Sequence, residues 1–171
     1  MPAKKLILTL KAKQIPYRVI EHAPAFTAPE VAQSAHVKGD QLAKAVIVDA
    51  DNRLIMVVVP ASCQLEFNAL KREIGALSLK LCPVARFTEM FPACELGALP
   101  PFGNLYGMDT YLANCLDRID KIAFCAGTHT ELVQMAYVDY LKMVKPKIIT
   151  EGYVRLGVTP PRMREHTGIR I

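Results

Sequence analysis

Three places in this sequence carry residue types that can support chemistry. Lys44 precedes the apolar run 45–48, so a buried strand would hold its ammonium group in a fixed position. The glycine- and proline-rich segment 97–103 is stiff enough to present backbone N–H groups to a carbonyl oxygen, as an oxyanion hole does. Gly127 permits a close approach of the backbone to a ligand, and His129 can exchange a proton near neutral pH.

Each of these features also has a structural interpretation. Lys44 could extend along the edge of a sheet with its charge in solvent. Segment 97–103 could be only a turn, and a single histidine such as His129 is often structural. The residues alone therefore leave both interpretations open for each place.

Several well-known catalytic patterns do not occur. The sequence has no G-x-S-x-G motif, no P-loop and no dinucleotide-binding fingerprint. Neither the histidines nor the cysteines show metal-ligand or C-x-x-C spacing, so we expect no metal and no cofactor. The cysteines are interpreted as small, reduced core residues. These residues are His22, His36, His129 and His166, and Cys63, Cys82, Cys94, Cys115 and Cys125.

The elements that must position these residues follow from hydrophobic periodicity and turn residues. Helices are predicted at residues 3–14, 28–36, 66–74 and 137–144, with a helical turn at 86–91. Strands are predicted at residues 17–21, 43–50, 53–59, 79–82, 105–112, 121–126 and 130–135. Thr27 and Glu30 form a capping box, and Asp51-Asn52 suits a two-residue hairpin turn.

Short strands mixed with helices, and joined partly by hairpins, predict an α+β fold with a mixed, mainly antiparallel sheet. A chain of 171 residues, half of them apolar, is expected to form one domain. No apolar stretch approaches the ~20 residues of a membrane span. The N-terminus lacks the apolar region of a signal peptide. We therefore expect a cytoplasmic location and no membrane partner.

The net charge of +5 is unevenly distributed. Residues 1–141 contain 14 basic and 14 acidic side chains, whereas residues 142–171 contain seven basic and two acidic ones. Such a basic segment can hold a phosphate backbone, or it can serve only for solubility. After Pro146 the sequence is poorly patterned, so we expect a basic C-terminal extension at residues 147–171 that follows a domain at residues 1–146.

Four blocks, taken together, resemble the YbaK/EbsC proteins and the editing domain inserted in prolyl-tRNA synthetases. They are residues 21–32 (EHAPAFTAPEVA), 43–48 (AKAVIV), 97–103 (GALPPFG) and 126–129 (AGTH). Each block alone is a weak signal, but their order and spacing both match. The resemblance covers about residues 4–144 and leaves the C-terminal segment outside it.

The resemblance implies a curved, barrel-like mixed sheet flanked by helices, and hydrolysis of mischarged aminoacyl-tRNA in trans. It implies catalytic roles for Lys44, Gly97 and Pro101, with Lys44 anchoring the 3′-terminal phosphate and residues 97–101 orienting the ester. An aminoacyl ester is already activated, which would explain the absence of a catalytic triad. The remaining site residues, expected to bind substrate, are Thr27, Ala98, Leu99, Pro100, Gly127 and His129.

The implied substrate is the 3′ end of an aminoacyl-tRNA, and prolyl-tRNA synthetase is the candidate protein partner. The small residues Gly97 and Ala98, beside the stiff Pro101, suggest a pocket for Ala, Ser, Thr or Cys. Cys ranks last because Ile20 stands where cysteine-editing relatives can carry Tyr. Two alternatives remain: a module that binds aminoacyl-tRNA or a nucleotide without turnover, and a structural protein.

Overall fold

The computed structural model describes residues 3–157, apart from the side chain of Asp117, and shows a mixed sheet flanked by short helices. The helices are α1 (Lys4–Ala12), α2 (Ala28–Ser34), α3 (Phe67–Ile74), α4 (Val84–Phe87) and α5 (Tyr137–Val144). The strands are β1 (Tyr17–Glu21), β2 (Leu42–Ala50), β3 (Arg53–Pro60), β4 (Cys63–Leu65), β5 (Leu79–Leu81), β6 (Asp109–Ala113), β7 (Lys121–Cys125), β8 (Glu131–Ala136), β9 (Lys147–Ile149) and β10 (Tyr153–Arg155). Among residues 3–157, no helix combines the length and apolar character that crossing a membrane requires.

The main sheet has the strand order β1-β8-β7-β2-β3-β6-β9, with β5 also paired to β2. The pairs β2–β7, β3–β6 and β6–β9 are parallel, and the other pairs of this sheet are antiparallel. Strands β4 and β10 form a separate antiparallel pair. The predicted α+β fold with a mixed, mainly antiparallel sheet is therefore confirmed.

The β2–β3 hairpin is the longest pairing and turns where the sequence predicts. Asp51 and Asn52 have φ angles of 51° and 67°, the left-handed conformation that a type I′ turn requires at both positions. The buried carboxylate of Asp49 accepts the Asn52 N–H at 2.9 Å and pairs with Arg86. These polar contacts fix the turn and hence the register of β2.

The strand predicted at residues 105–112 begins later than expected. A 3-10 helix occupies Gly103–Tyr106, and β6 starts only at Asp109. Gly107, with φ at 72°, reverses the chain between them. Residues 105–112 are rich in strand formers, but a left-handed residue in the middle of the segment ends the helical turn before the strand can start.

The segment after Pro146, predicted to be poorly patterned, instead contains two strands. Strand β9 pairs with β6 in the main sheet, and β10 pairs with β4. Three-residue strands carry too short an alternation to be recognised in the sequence. A boundary between residues 146 and 147 stays a prediction. Residues 158–171, with Arg162, Arg164 and Arg170, lie outside the described residues.

Three hydrophobic cores cover the two faces of the sheet. Alternate residues of β2 point to opposite faces, so Ala43 and Ile47 pack into the large core that contains α1. On the opposite face, Leu42 packs into the α2 core, whereas Val46 and Val48 pack into the α3 core. Residue 44 therefore lies on that second face, between the α2 core and the α3 core.

Removing the Tyr140 hydroxyl should destabilise the protein. This side chain is fully buried, and its O–H donates to the Pro101 carbonyl at 2.7 Å. Tyr140→Phe leaves that carbonyl without its donor, so we expect a loss of about 1–3 kcal/mol in the free energy of unfolding. Urea denaturation measures this loss. Tyr17→Phe, whose hydroxyl has no hydrogen bond within residues 3–157, serves as the control; equal losses in the two variants would contradict the assignment.

Candidate active site

A small pocket lies where the main sheet divides. Strand β2 is paired with β3 along residues 43–50. On its other edge, β7 pairs only with residues 42–43 and β5 only with residues 48–50. Within residues 3–157 no strand covers that edge between them. The pocket at this gap has a volume of about 20 Å³, which is room for one water-sized group.

Lys44 supplies the charge of this pocket. Its side chain is half-buried between the α2 core and the α3 core, on the wall of the pocket. Within residues 3–157 it has no acidic partner and no hydrogen bond. Burial lowers the pKa of the Lys44 ammonium group, and the neighbouring Cys63 acts in the opposite direction. A partly desolvated cation without a counter-ion favours an anionic ligand, since such charges are normally paired.

On the opposite side of the pocket from Lys44, backbone hydrogen bonds join the loop that contains Ala98 to the loop that contains Gly127. Gly127 donates its N–H to the Ala98 carbonyl at 2.8 Å and accepts the Glu95 N–H at 2.8 Å. The Glu95 carboxylate accepts the His129 N–H at 2.8 Å. Gly127 has a φ of 104°, and a Cβ there would lie 3.3 Å from the Ala93 oxygen. Only glycine fits this close approach without displacing the loops.

The backbone N–H groups of residues 97–99 differ in whether they already donate a hydrogen bond. Ala98 is buried, and its N–H already donates to the Glu95 carbonyl at 3.1 Å. Gly97 and Leu99 line the pocket, and their N–H groups form no hydrogen bond within residues 3–157. These two N–H groups are therefore the candidates for binding a substrate oxygen.

His129 forms the rim of the pocket together with Phe26. The His129 side chain is only 12% exposed, and its Nε2 lies 3.9 Å from a carboxylate oxygen of Glu95. Its ring centroid lies 5.0 Å from that of Phe26, which is 70% exposed. Next to Phe26, Thr27 caps α2 through the predicted capping box, with its hydroxyl accepting the Glu30 N–H at 3.4 Å. The cap holds Thr27 and Phe26 at the pocket.

The structure brings together some of the predicted site residues and places others behind them. Those that line the pocket are Thr27, Lys44, Gly97, Leu99 and His129. Those that lie outside its wall are Ala98, Pro100, Pro101 and Gly127. Ala98 and Gly127 join the two loops, and Pro101 accepts the Tyr140 hydroxyl. The functional roles of both groups stay predictions.

Sequence reasoning missed Phe26 and Glu95. The signals were present: an aromatic residue directly before an N-cap, and an acidic residue inside a glycine- and proline-rich loop. Both depend on tertiary contacts with His129 that no local pattern reveals. The rest of the pocket wall comes from Ala28, Val31, Leu42, Ala43, Ala45 and Cys125.

Comparison with known proteins identifies the family and the fold of this chain. The sequence profile of the aminoacyl-tRNA editing domain family matches residues 22–143. Among curated proteins, the multifunctional Ser/Thr-tRNA deacylase ProXp-y of Escherichia coli K12 is 27% identical over 152 residues, covering 85% of this chain and 90% of the relative. Its counterpart in Escherichia coli O157:H7 matches equally well.

Solved structures show the same fold. A crystal structure of a proposed trans-editing enzyme for prolyl-tRNA synthetase has a TM-score of 0.75 at 18% identity, covering 88% of this chain and 96% of the neighbour. The hypothetical protein APE2540 has a TM-score of 0.76 at 18% identity, covering 88% and 100%. The family profile matches more than half of this chain, so the chain belongs to the aminoacyl-tRNA editing domain family. The family and fold expected from the sequence are confirmed.

The unpaired charge of Lys44 should cost the protein stability in the absence of a ligand. Lys44→Met keeps the length of the side chain and removes the charge, so we expect the free energy of unfolding at pH 7 to rise by about 0.5–2 kcal/mol. Because burial lowers the pKa of folded Lys44, the penalty is complete below that pKa and vanishes above the usual lysine value of 10.5. The gain in the free energy of unfolding of Lys44→Met over the wild type should therefore shrink as the pH rises.

Urea denaturation of Lys44→Met between pH 7 and pH 10.5 measures this effect. Lys80→Met, on the exposed face of β5, is the matched control and should change the free energy of unfolding by less than about 0.5 kcal/mol. A Lys44→Met protein that is less stable than the wild type at pH 7 would show that the ammonium group has a stabilising partner.

Proposed function

We propose that this chain is an aminoacyl-tRNA deacylase that acts in trans and hydrolyses the ester of a tRNA carrying the wrong small amino acid. The observation that carries the proposal is the half-buried ammonium group of Lys44, which has no acidic partner within residues 3–157. It faces a pocket of about 20 Å³, across from two unused backbone N–H groups. Membership of the editing-domain family supports it.

Lys44 would anchor the phosphate of the terminal nucleotide. A lysine ammonium is a compact point charge that can approach a phosphate oxygen from several directions. In a half-buried position its attraction to that phosphate is stronger than in bulk water. The 3′ end of tRNA is single-stranded, so its phosphates and bases are accessible to such a pocket.

The hydrolysis itself would need orientation and charge stabilisation rather than a strong nucleophile. A water oxygen attacks the ester carbonyl carbon, and the negative charge that develops on the carbonyl oxygen is stabilised by the N–H groups of Gly97 and Leu99. The bond to the ribose oxygen then breaks, and that oxygen takes up the proton lost by the water. The neighbouring ribose 2′-OH would help to place the water.

The size of the pocket limits the size of the amino acid side chain that it can accept. A volume of about 20 Å³ has room for one group about the size of a methyl, so it favours small side chains over large ones. Thr27 and His129 line it and offer polar atoms to a substrate hydroxyl. The name of the Escherichia coli relative, a Ser/Thr-tRNA deacylase, supports the same choice. We therefore propose Ser, Thr or Ala as the removed amino acid, ahead of Cys.

Phe26 would provide a stacking surface for the terminal adenine. Its ring lies against that of His129 at the rim and is 70% exposed, although burial of a phenylalanine is favourable. Stacking of a base on such a ring contributes about 1–3 kcal/mol in single-stranded nucleic acid complexes. An adenine held there would place the attached ester beside Gly97.

Deacylation of a panel of charged tRNAs tests the proposal. Ser-, Thr- or Ala-charged tRNA should be hydrolysed, and Leu- or Phe-charged tRNA should be spared. On the best substrate, Lys44→Ala should lower kcat/KM by about 30-fold or more, because loss of a buried charge contact costs about 2–5 kcal/mol. Lys44→Arg should rescue poorly, since a planar guanidinium does not replace a compact ammonium.

Lys80→Ala is the control, and it should keep wild-type turnover. Near-normal activity of Lys44→Ala would show that Lys44 does not have the assigned role. Binding of charged tRNA without hydrolysis by the wild type would favour a module that lacks turnover.

Gly97→Ala should slow hydrolysis without weakening tRNA binding. Gly97 has a φ of 81°, and a Cβ there would lie 3.6 Å from His129 Cε1. The strain of about 1–2 kcal/mol should shift the backbone and misplace its N–H, which lowers the rate by about 10–100-fold.

Gly107→Ala is the matched control, since φ is 72° there and nothing lies within 4 Å. Single-turnover rates and tRNA affinities separate the effects; lost affinity at an unchanged rate would contradict an oxyanion role.

A further inference from the structure

A second, much larger cavity lies beside the pocket and contains none of the predicted site residues. Its volume is about 690 Å³, within the usual range for ligand sites. It is formed by the segment that leads into β2, the end of β3, the strands β4 and β10, and the 3-10 helix Asn114–Arg118. Its polar lining includes Lys38, Asp40, Gln41, Asn114, Arg118 and Tyr153.

The walls of this cavity carry unneutralised positive charge. Asp40 accepts a hydrogen bond from Ser62 and pairs with Arg155 at 3.4 Å. Ser62 and Arg155 hold the pKa of Asp40 below its usual value, so this carboxylate stays ionised and neutralises Arg155. Among the side chains that the structure describes, Lys38 and Arg118 have no acidic partner. Two cations are therefore left to attract an anion.

The cavity also offers neutral polar groups. The Tyr153 hydroxyl donates to the Asn114 side-chain oxygen. Burial raises the pKa of Tyr153 to about 12, so the hydroxyl keeps its proton near neutral pH. The amide nitrogen of Asn114 has no acceptor within residues 3–157. A ligand in the cavity would thus meet a hydrogen-bond donor as well as two cations.

The cavity and the pocket are adjacent along one stretch of chain. Gln41 lines the cavity, whereas residues 42–45 line the pocket. Gln41 and Lys44 are three residues apart, which corresponds to about 10 Å of extended chain. Cys63, on the cavity wall, lies near enough to influence Lys44. A chain held at Lys44 can therefore continue directly into the cavity.

We propose that this cavity binds the phosphodiester backbone of the unpaired nucleotides that precede the terminal adenosine of tRNA, with Lys38 and Arg118 contacting its phosphates. This inference rests on the proposed function. The ester lies at the end of a polyanionic strand, and that strand must leave the small pocket along the surface. Two other cavities, of about 300 Å³ and 290 Å³, are lined by no residue of segment 38–41, which leads into β2 and lines the larger cavity. The larger cavity therefore offers the continuation from Lys44.

Direct binding tests the inference without relying on catalysis. A labelled single-stranded RNA that ends in CCA is titrated with protein at several salt concentrations, and fluorescence anisotropy gives the affinity. The test variant is Lys38→Ala/Arg118→Ala. Neither side chain forms an ion pair with any described side chain, and both are exposed, so their removal should leave the fold intact. Arg155 is left in place because it pairs with Asp40.

The expected result is a shallower salt dependence. Each phosphate contact in single-stranded nucleic acid contributes roughly 0.7 to the slope of log affinity against log salt, so two contacts contribute about 1.4. Across a tenfold change in salt, the affinity of the variant should therefore change about 25-fold less than that of the wild type. The matched control, Lys11→Ala/Lys13→Ala, removes two exposed lysines that line neither the pocket nor the cavity and should keep the wild-type slope.

Equal slopes in the two double variants would overturn the inference. A test variant that loses binding of free adenosine monophosphate but keeps full RNA affinity would also overturn it, because the cavity would then be a nucleotide site. Deacylation separates this failure from failure of the proposed function. If the wild type hydrolyses no charged tRNA, the function is wrong. If it does, the test variant should show a raised KM at an unchanged kcat.

Discussion

The rest of the site depends on one constraint: the ammonium group of Lys44 is held half-buried, and no acidic side chain that the structure describes pairs with it. Strand β2 makes this possible because its long pairing with β3 fixes the backbone, and because the α2 core and the α3 core pack on either side of residue 44. The division of the sheet beside β2 then opens a pocket to that charge. An uncompensated cation opposes folding, so the hairpin and the two cores must supply the stability that it costs.

The loops opposite Lys44 contribute rigidity. Gly127 joins them through two backbone hydrogen bonds, and Tyr140 holds the Pro101 carbonyl from the core. Donors that are already fixed in place need no reorganisation as charge develops on a substrate oxygen, and this is the main source of their catalytic effect. Ala98 and Pro101 can therefore matter for the chemistry that we propose without lining the pocket, since they keep the Gly97 and Leu99 N–H groups in position.

The sequence predicted the features that depend on local signals. The capping box at Thr27, the turn at Asp51-Asn52 and the left-handed Gly75 that ends α3 each follow from the residue types at fixed positions. The exceptions depend on tertiary contacts. The short strands β9 and β10 form because β6 and β4 offer free edges, and Phe26 joins the site only because His129 comes to lie against it. The large cavity combines residues up to 117 positions apart, from Lys38 to Arg155, and no motif marks it.

One cavity is lined by residues of β2 and the other by the segment that leads into β2, so recognition of the tRNA would be divided into two independent parts. Contacts between cations and the RNA backbone are the same for every charged tRNA, so in the proposed function the large cavity adds affinity without distinguishing the amino acid. Binding energy of this uniform kind lowers KM but does not select among esters. Selection must then come from the pocket beside Lys44, where one extra methylene group changes binding by about 1–3 kcal/mol. In the proposed function the pocket would exclude by size and so protect larger cognate amino acids, and the affinity supplied by the cavity could rise without any loss of that selectivity.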